Sequence, residues 1–190
     1  MTINFKRTAF TTNQTMEFFT ESELTTQIGY GKSLWPLVLV KELIDNSLDA
    51  CESADIAPEI TITLEPDAVT VEDNGPGLRP EIIESSLDYS IRVSDKKNYV
   101  SPTRGQLGNA LKCVWAAAFV ANGTGLVEVT ACGLKHRITV KADQIKQAPD
   151  IKDEPTPLVK NGTSVRVFWP EVAKLKDRRK NRRILPRQRI

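Results

Sequence analysis

The alternation of hydrophobic and polar positions divides the chain into helices and strands. The clearest helical pattern begins at Ser33, a residue suited to the N-cap, and runs to about Ser53. Pro36 is tolerated there because the first turn of a helix has no partner for its missing N–H. Hydrophobic residues recur at helical spacing along one face, namely Leu37, Val40, Ile44, Leu48 and Cys51. We therefore predict a central amphipathic helix over 33–53.

Strand and turn patterns follow this helix. Strands are predicted over 60–64, 69–72, 126–131, 135–140 and 164–168. A short helix is predicted over 80–87, and a longer one, opened by glycines, ends at Asn122. Residues 142–160 are polar and contain prolines, so they are predicted to form a connection. The elements together predict an α+β protein: a two-layer α/β sandwich with a mixed, mostly antiparallel sheet and helices on one face.

Three segments are distinguished along the chain. Residues 1–30 are predicted to be an N-terminal arm, in which Phe18-Phe19 anchors the arm to the body and Thr20 caps a short helical turn. Residues 31–170 are predicted to form the folded domain. Residues 88–103 within it are polar and without a clear period, which is typical of a mobile lid. Residues 171–190 form a basic tail.

Composition narrows the class of protein. The chain has 190 residues, a net charge of +2, three cysteines and one histidine. Three widely spaced cysteines favour reduced thiols in a cytoplasmic protein, and the single histidine argues against a zinc site. The longest apolar run, 113–121, is too short to cross a bilayer, so no membrane association is expected.

The polar face of the central helix carries the first candidate chemistry. Glu42, Asn46 and Asp49 lie within about two turns of one another on the face opposite the hydrophobic one. Two carboxylates and an amide in this arrangement can hold a metal ion and activate a water. The alternative is a solvated polar face, which the helix alone does not exclude.

The second candidate is the segment Asp73-Asn74-Gly75-Pro76-Gly77, which directly follows a strand. It places an acidic residue at the strand end, and its two glycines let the backbone approach a flat ligand. These residue types also favour turns, so a plain turn is the alternative.

The third candidate opens the second long helix, over residues 103–112. Gly105 and Gly108 lie three positions apart, and the N–H groups of a helix N-terminus attract anions such as phosphate. Close helix packing is the alternative explanation of these glycines. The earlier segment Gly29-Tyr30-Gly31-Lys32 lacks the glycine spacing of a P-loop and is interpreted as a loop entering the central helix.

The order of these motifs resembles that of the GHKL ATPases, the group that includes gyrase, Hsp90, histidine kinases and MutL. Within the group the chain is most similar to the B subunits of type IIB DNA topoisomerases. The resemblance covers about residues 18–169 and rests on the stretches 40–50, 73–77 and 103–105, Phe18-Phe19, and Gly162-Thr163 before the last strand. One departure is Asn109-Ala110, which stands where the family carries a more glycine-rich turn. The methyl group of Ala110 narrows the expected phosphate loop.

The resemblance implies a role for each matching position. Glu42 is implied as the general base, Asn46 as the Mg²⁺ ligand, and Asp49 as their support. Asp73 is implied to accept a hydrogen bond from the adenine amine, with Gly75 and Gly77 beneath the base and Thr163 reaching it through water. The implied phosphate cradle comprises Arg104, Gly105, Gln106, Leu107, Gly108 and Lys112.

The resemblance also implies ATP and Mg²⁺ as cofactors, a homodimer in the ATP-bound state, and a DNA-cleaving or other DNA-handling partner subunit. The lysine-supplying transducer domain of the family has no place after residue 170, so we expect slow hydrolysis. A nucleotide-gated binding module with negligible hydrolysis, or another GHKL ATPase of the MutL, Hsp90 or histidine-kinase type, stays open. From Lys174 onward nine of seventeen residues are Lys or Arg, which predicts either DNA contact or a solvated end.

Overall fold

The computed structural model describes residues 18–89, 110–143 and 148–170. The helices are α1 (Glu21–Ile28), α2 (Trp35–Ser53), α3 (Pro80–Leu87) and α4 (Ala110–Asn122), with a 3-10 turn at Lys32–Leu34. The strands are β1 (Ile60–Leu64), β2 (Ala68–Asp73), β3 (Gly125–Ala131), β4 (Leu134–Asp143), β5 (Ala148–Pro157) and β6 (Thr163–Phe168). Within these ranges no helix combines the length and the apolar character needed to cross a membrane.

The six strands form one sheet in the order β1-β2-β6-β3-β4-β5. Every pairing among the described strands is antiparallel, where a mixed, mostly antiparallel sheet was predicted. The last strand in sequence, β6, is inserted between β2 and β3. Helix α2 lies against β2, and α4 lies against β3 and β4. The α+β fold with helices layered on a sheet is therefore confirmed.

Alternation along the strands builds the core between the two layers. On the helical side, Val165 of β6 stands opposite Val71 of β2 and Val129 of β3, and all three are nearly fully buried. β-Branched side chains pack well on such a pleated surface. The neighbouring positions Thr70 and Arg166 point to the other side of the sheet. Burial of this valine layer fixes the register of the central strands, since a one-residue slip would expose it.

Helix α2 differs from its prediction at its start and on its buried face. It begins at Trp35 rather than Ser33, and Leu34 occupies the N-cap without a side-chain hydrogen bond. Pro36 lies in the first turn, as predicted. Leu37 was placed on the buried face but is 52% exposed. The buried positions are Trp35, Pro36, Leu39, Val40, Leu43, Ser47 and Cys51. The helix is turned this way because it contacts β2 and α4 together.

The described part of the N-terminal arm is anchored as predicted. Phe19 is buried, with its ring centroid 4.6 Å from that of Tyr89 and 5.7 Å from that of Phe119. Thr20 caps α1 by accepting a hydrogen bond from the Glu23 N–H. The arm therefore contains a complete helix that packs on α4, whereas only a short helical turn was expected.

The prediction of a connection over 142–160 is wrong, because β5 pairs with β4 along ten residues. Its prolines, Pro149, Pro155 and Pro157, discouraged a strand prediction. All three occupy alternate positions whose main-chain groups point away from β4, since the Leu158 N–H donates toward Gly133 on the β4 side. Proline is tolerated at such positions of an edge strand because no ladder hydrogen bond is lost.

Candidate functional site

The carboxylate of Asp73 lies at the end of β2 and is held by three donors of the chain. Oδ1 accepts hydrogen bonds from the N–H of Gly75 at 2.9 Å and of Thr163 at 3.0 Å. Oδ2 lies 2.9 Å from Oγ of Ser47 on α2. The pairing of β2 with β6 brings Thr163 beside Asp73, and packing of α2 on β2 brings Ser47.

This arrangement leaves the Asp73 carboxylate able to accept one further hydrogen bond. An ionised carboxylate has about four acceptor positions, and the three donors occupy at most three of them, since the Ser47 hydroxyl can donate its one proton either to Asp73 or to the Leu43 carbonyl oxygen. Asp73 is half-buried, so the chain does not fully enclose its side chain. A half-buried carboxylate oriented by several fixed donors suits the recognition of an N–H group on a ligand.

Ser47 was missed by the sequence analysis. It is 6% exposed, and its Oγ lies 3.0 Å from the Leu43 carbonyl oxygen as well as beside Asp73. The available signal was a hydroxyl residue at four-residue spacing between two hydrophobic positions, Leu43 and Cys51. A polar side chain there needs a partner once the face is buried.

Thr163 fastens the 73–78 loop to β6 in two ways. Its N–H donates to Asp73, and its Oγ1 accepts a hydrogen bond from the Leu78 N–H at 3.0 Å. Because the hydroxyl oxygen is an acceptor here, its own proton is left to donate. The predicted contact from Thr163 to a ligand through water is compatible with this geometry and stays a prediction.

The glycines around Asp73 are required by close approach of the chain to itself. A methyl group at Gly162 would lie 1.8 Å from the Asp73 carbonyl oxygen. A methyl group at Gly77, where φ is +92°, would lie 2.9 Å from Sγ of Cys132. At Gly75 it would lie 3.1 Å from Oδ1 of Asp73. The glycines therefore set the shape of the loop, and their predicted contact with a flat ligand stays a prediction.

Glu42, Asn46 and Asp49 lie together along α2, as the helical spacing predicted. Asn46 is exposed, Asp49 is half-buried, and the Glu42 side chain is 30% exposed. Nζ of Lys41 lies 3.5 Å from Oε1 of Glu42 and 2.5 Å from Oδ2 of Asp45. The hydrogen bond to Asp45, aided by the charge of Glu42, raises the pKa of Lys41.

Helix α2 packs against α4, the helix that follows the predicted phosphate loop. Burial raises the pKa of the Cys113 thiol to about 12, and the negative charges of Glu42 and Glu23 contribute to this rise. Helix α2 therefore joins two polar centres, with Glu42 at one and Ser47 beside Asp73 at the other.

The Lys112 side chain is buried and forms a hydrogen bond within the protein. It is 3% exposed, its Nζ donates to the Asp88 carbonyl oxygen at 2.6 Å, and burial lowers its pKa. The Tyr89 hydroxyl in turn donates to the Lys112 carbonyl oxygen at 2.9 Å. Lys112 thus ties residues 88–89 to α4, and its predicted contact with phosphate stays a prediction. The other predicted cradle residues, Arg104 to Gly108, and residues 90–103 of the predicted lid lie outside the described residues.

The donors on α2 suit a hard cation. Asn46 supplies an exposed amide oxygen one turn after the Glu42 carboxylate. Mg²⁺ favours such oxygen ligands, keeps several waters and shares the phosphates of its substrate. The residues present therefore fit a Mg²⁺ ion that is bound together with a phosphate-bearing ligand.

Comparison with known proteins identifies relatives of this chain. Residues 31–173 match the family model described as histidine kinase-, DNA gyrase B- and HSP90-like ATPase. Curated relatives described as the B subunit of type 2 DNA topoisomerase 6 include one from Methanosarcina barkeri, 35% identical over 130 residues, or 62% of this chain and 20% of that protein. Another, from Methanosarcina mazei, is 45% identical over 80 residues, or 38% of this chain and 12% of that protein.

A third relative of the same description, from Archaeoglobus fulgidus, is 28% identical over 149 residues, or 73% of this chain and 24% of that protein. The chain thus spans a quarter or less of the length of these three relatives. A solved N-terminal domain of a DNA repair protein superposes with a TM-score of 0.41 at 25% identity, over 75% of this chain and 38% of that one.

Proposed function

We propose that this chain, which belongs to the histidine kinase-, DNA gyrase B- and HSP90-like ATPases, binds ATP with the adenine at Asp73. The observation that carries the proposal is the fixed Asp73 carboxylate with one acceptor position left for a ligand. The exocyclic amine of adenine is a donor that fits this position. Guanine has a carbonyl group there, which a carboxylate repels, so ATP is favoured over GTP.

The phosphates of the bound nucleotide would extend toward Glu42 and the start of α4. Glu42 acts as the general base that orients and deprotonates the attacking water, a role for which a positioned carboxylate is suited. Asn46 contributes its amide oxygen to Mg²⁺, and Asp49 supports the same polar face. When bound, the ion would neutralise charge on the phosphates. The packing of α2 against α4, which follows the predicted phosphate loop, supports this direction of the nucleotide along α2.

The wider role proposed is that of an ATP-hydrolysing module similar to the B subunits of type IIB topoisomerases. The similarity to curated topoisomerase 6 proteins of that kind supports it. In this role ATP binding drives dimerisation of two copies, and the dimer acts on a DNA-handling partner protein. A module that binds ATP, dimerises and hydrolyses it negligibly is the competing function, and turnover distinguishes the two.

The proposal is tested by titrating the full chain with ATP, GTP and a non-hydrolysable ATP analogue in a calorimeter, with and without Mg²⁺. Sedimentation velocity on the same samples reports dimer formation. We expect ATP to bind more tightly than GTP, and the analogue to produce a dimer. Equal affinity for ATP and GTP would contradict the role of Asp73. Dimerisation without measurable phosphate release would favour the binding module.

A further inference from the structure

The two edge strands of the sheet, β1 and β5, differ in their proline content. At β5, three of the five main-chain positions that face the open side are prolines, at 149, 155 and 157. Proline has no N–H, so this edge offers few donors to another strand. Prolines on an edge strand are a common protection against unwanted strand pairing.

The β1 edge has no such protection. The Glu65 N–H donates to the Ala68 carbonyl oxygen across the hairpin. Because main-chain groups alternate in direction along a strand, the N–H and C=O groups of Thr61 and Thr63 also point toward β2. The N–H and C=O groups of Ile60, Ile62 and Leu64 consequently face the open side. Among the described strands none pairs with this side. The strand itself contains neither proline nor charge, and Ile62 is 44% exposed.

Acidic residues flank β1 at both ends. Residues 59–67 contain three Asp or Glu and no Lys, Arg or His. Glu59 directly precedes β1, and Glu65 and Asp67 follow it. Arg166 lies 2.7 Å from Oε2 of Glu65 and offsets part of that charge, while the Glu65 side chain stays 38% exposed. Within the part of the chain that the structure describes, neither Glu59 nor Asp67 forms an ion pair.

We propose that the β1 edge binds an extended, basic segment of a partner protein, which adds to the sheet as a seventh strand. The three outward residues offer up to six main-chain hydrogen bonds, which supply affinity in this mode of recognition. The acidic residues at both ends of β1 select for Lys or Arg. Glu59 and Glu65 are six positions apart, so the preferred segment carries basic residues at the same separation, with alternating β-branched residues between them.

A second copy of the chain fits this edge poorly. Antiparallel pairing of two β1 strands about Ile62 would place Glu59 of each copy opposite Glu65 of the other. Like charges directly opposite each other destabilise a strand pair. Charge complementarity therefore favours a basic partner over self-association.

The probe for this surface is the peptide Arg-Val-Thr-Val-Thr-Val-Lys, and its matched control is Glu-Val-Thr-Val-Thr-Val-Glu. Hydrogen exchange on the full chain is followed at the amides of Ile60, Ile62 and Leu64. We expect these amides to exchange rapidly in the free protein and at least tenfold more slowly with the basic peptide. Protection before any peptide is added would show that the edge is already occupied by this chain or a second copy, which would overturn the proposal.

Two variants test the contacts directly. Ile62→Pro removes an outward N–H without removing a bond to β2, whereas Ile62→Thr retains that N–H. We expect Ile62→Pro to weaken peptide binding at least tenfold and Ile62→Thr to change it little, with both folds checked by circular dichroism. Glu59→Lys, which leaves the strand intact, should weaken binding of the basic peptide and reduce its salt dependence. Unchanged binding to Ile62→Pro and Glu59→Lys, or equal binding of both peptides, would contradict the proposal.

Discussion

The backbone N–H of Thr163 donates to Oδ1 of Asp73 at 3.0 Å, although 90 positions separate the two residues in the chain. The contact exists because β6 inserts beside β2 and starts where β2 ends. It orients the carboxylate before any ligand binds, which reduces the cost of ordering the site on binding. The candidate site therefore depends on the long-range pairing of β2 with β6 as much as on Asp73 itself.

Asp73→Asn should weaken ATP binding at least tenfold, which corresponds to about 1.4 kcal/mol. The amide replaces one acceptor oxygen by a donor, so it cannot accept from Thr163, Ser47 and the adenine amine together. Calorimetric titration with ATP measures the effect. Asp67→Asn, an exposed acid just before the same strand, serves as the control and should bind ATP normally. Unchanged affinity in Asp73→Asn would exclude Asp73 as the adenine acceptor.

Glu42→Ala should keep near-normal ATP affinity and slow hydrolysis by about 10²–10⁴, the usual contribution of general-base catalysis. It should also trap the ATP-bound dimer. Single-turnover hydrolysis and a parallel binding titration give the two quantities. Asp45→Ala removes a neighbouring carboxylate that pairs with Lys41, and it should retain hydrolysis. If Glu42→Ala hydrolyses ATP as fast as the parent, Glu42 is not the base.

Asn46→Ala should instead weaken the Mg²⁺-dependent part of ATP binding. The substitution removes the amide oxygen that is proposed to bind the ion and leaves Asp73 and the glycine loop in place. Titrations with ATP in Mg²⁺ and in EDTA separate the two contributions. The result expected is a smaller difference between these conditions than in the parent chain, and an unaltered difference would exclude Asn46 as a ligand.

Gly162→Ala should destabilise the fold more than Gly133→Ala. Both glycines have positive φ, at +73° and +80°, so both substitutions introduce similar backbone strain. Only at Gly162 does the added methyl group meet another atom, the Asp73 carbonyl oxygen. We expect an additional loss of about 1–3 kcal/mol in the free energy of unfolding, measured by urea denaturation. Equal losses would mean that the 73–78 loop moves freely away from Gly162.

The ion pair of Glu72 with Lys160 should make stability depend on pH in the acidic range. The hydrogen bond from Lys160 lowers the pKa of Glu72 below its ordinary value. A lowered pKa in the folded state stabilises the protein above the pKa of the unfolded chain, and this contribution is lost as the pH falls through the folded value.

Glu72→Gln should therefore lower the free energy of unfolding at pH 7, by up to about 1 kcal/mol because both side chains are partly exposed. The difference from the parent should vanish near pH 2. Glu84→Gln, an exposed acid on α3, is the control. If the free energies of unfolding of Glu72→Gln and the parent still differ by the same amount at pH 2, the ion pair with Lys160 is not the cause of the difference.

Cys132 should react with iodoacetamide at pH 8 much faster than Cys51 or Cys113. Cys132 is exposed, whereas the other two thiols are buried and burial raises the pKa of each. With a pKa of about 12, only about one Cys113 thiol in 10⁴ is ionised at pH 8, and the thiolate is the reactive form. Peptide mass spectrometry after short exposure measures the rates. Cys132→Ser should abolish the fast reaction, and rapid native modification of Cys113 would show that α4 opens.

Local patterns in the sequence determined much of this protein. The stripe of Glu42, Asn46 and Asp49 follows from the 3.6-residue period of one helix, which needs no knowledge of the rest of the fold. Strand β1 was predicted at its observed bounds because its alternation is regular and a turn follows it. Asp73 was also identified from a local pattern, because it is an acidic residue between a predicted strand and a glycine-rich turn.

Tertiary structure alone decided the remaining features. Ser47 meets Asp73 only when α2 packs on β2, and Thr163 meets it only when β6 pairs with β2. Leu37 is exposed because two neighbours, β2 and α4, select which side of α2 is buried. Strand β5 exists despite its prolines because it lies at an edge, where their missing N–H groups cost no ladder bonds. Helical and strand periods are local properties of a sequence, whereas strand neighbours and buried faces arise from contacts between distant segments.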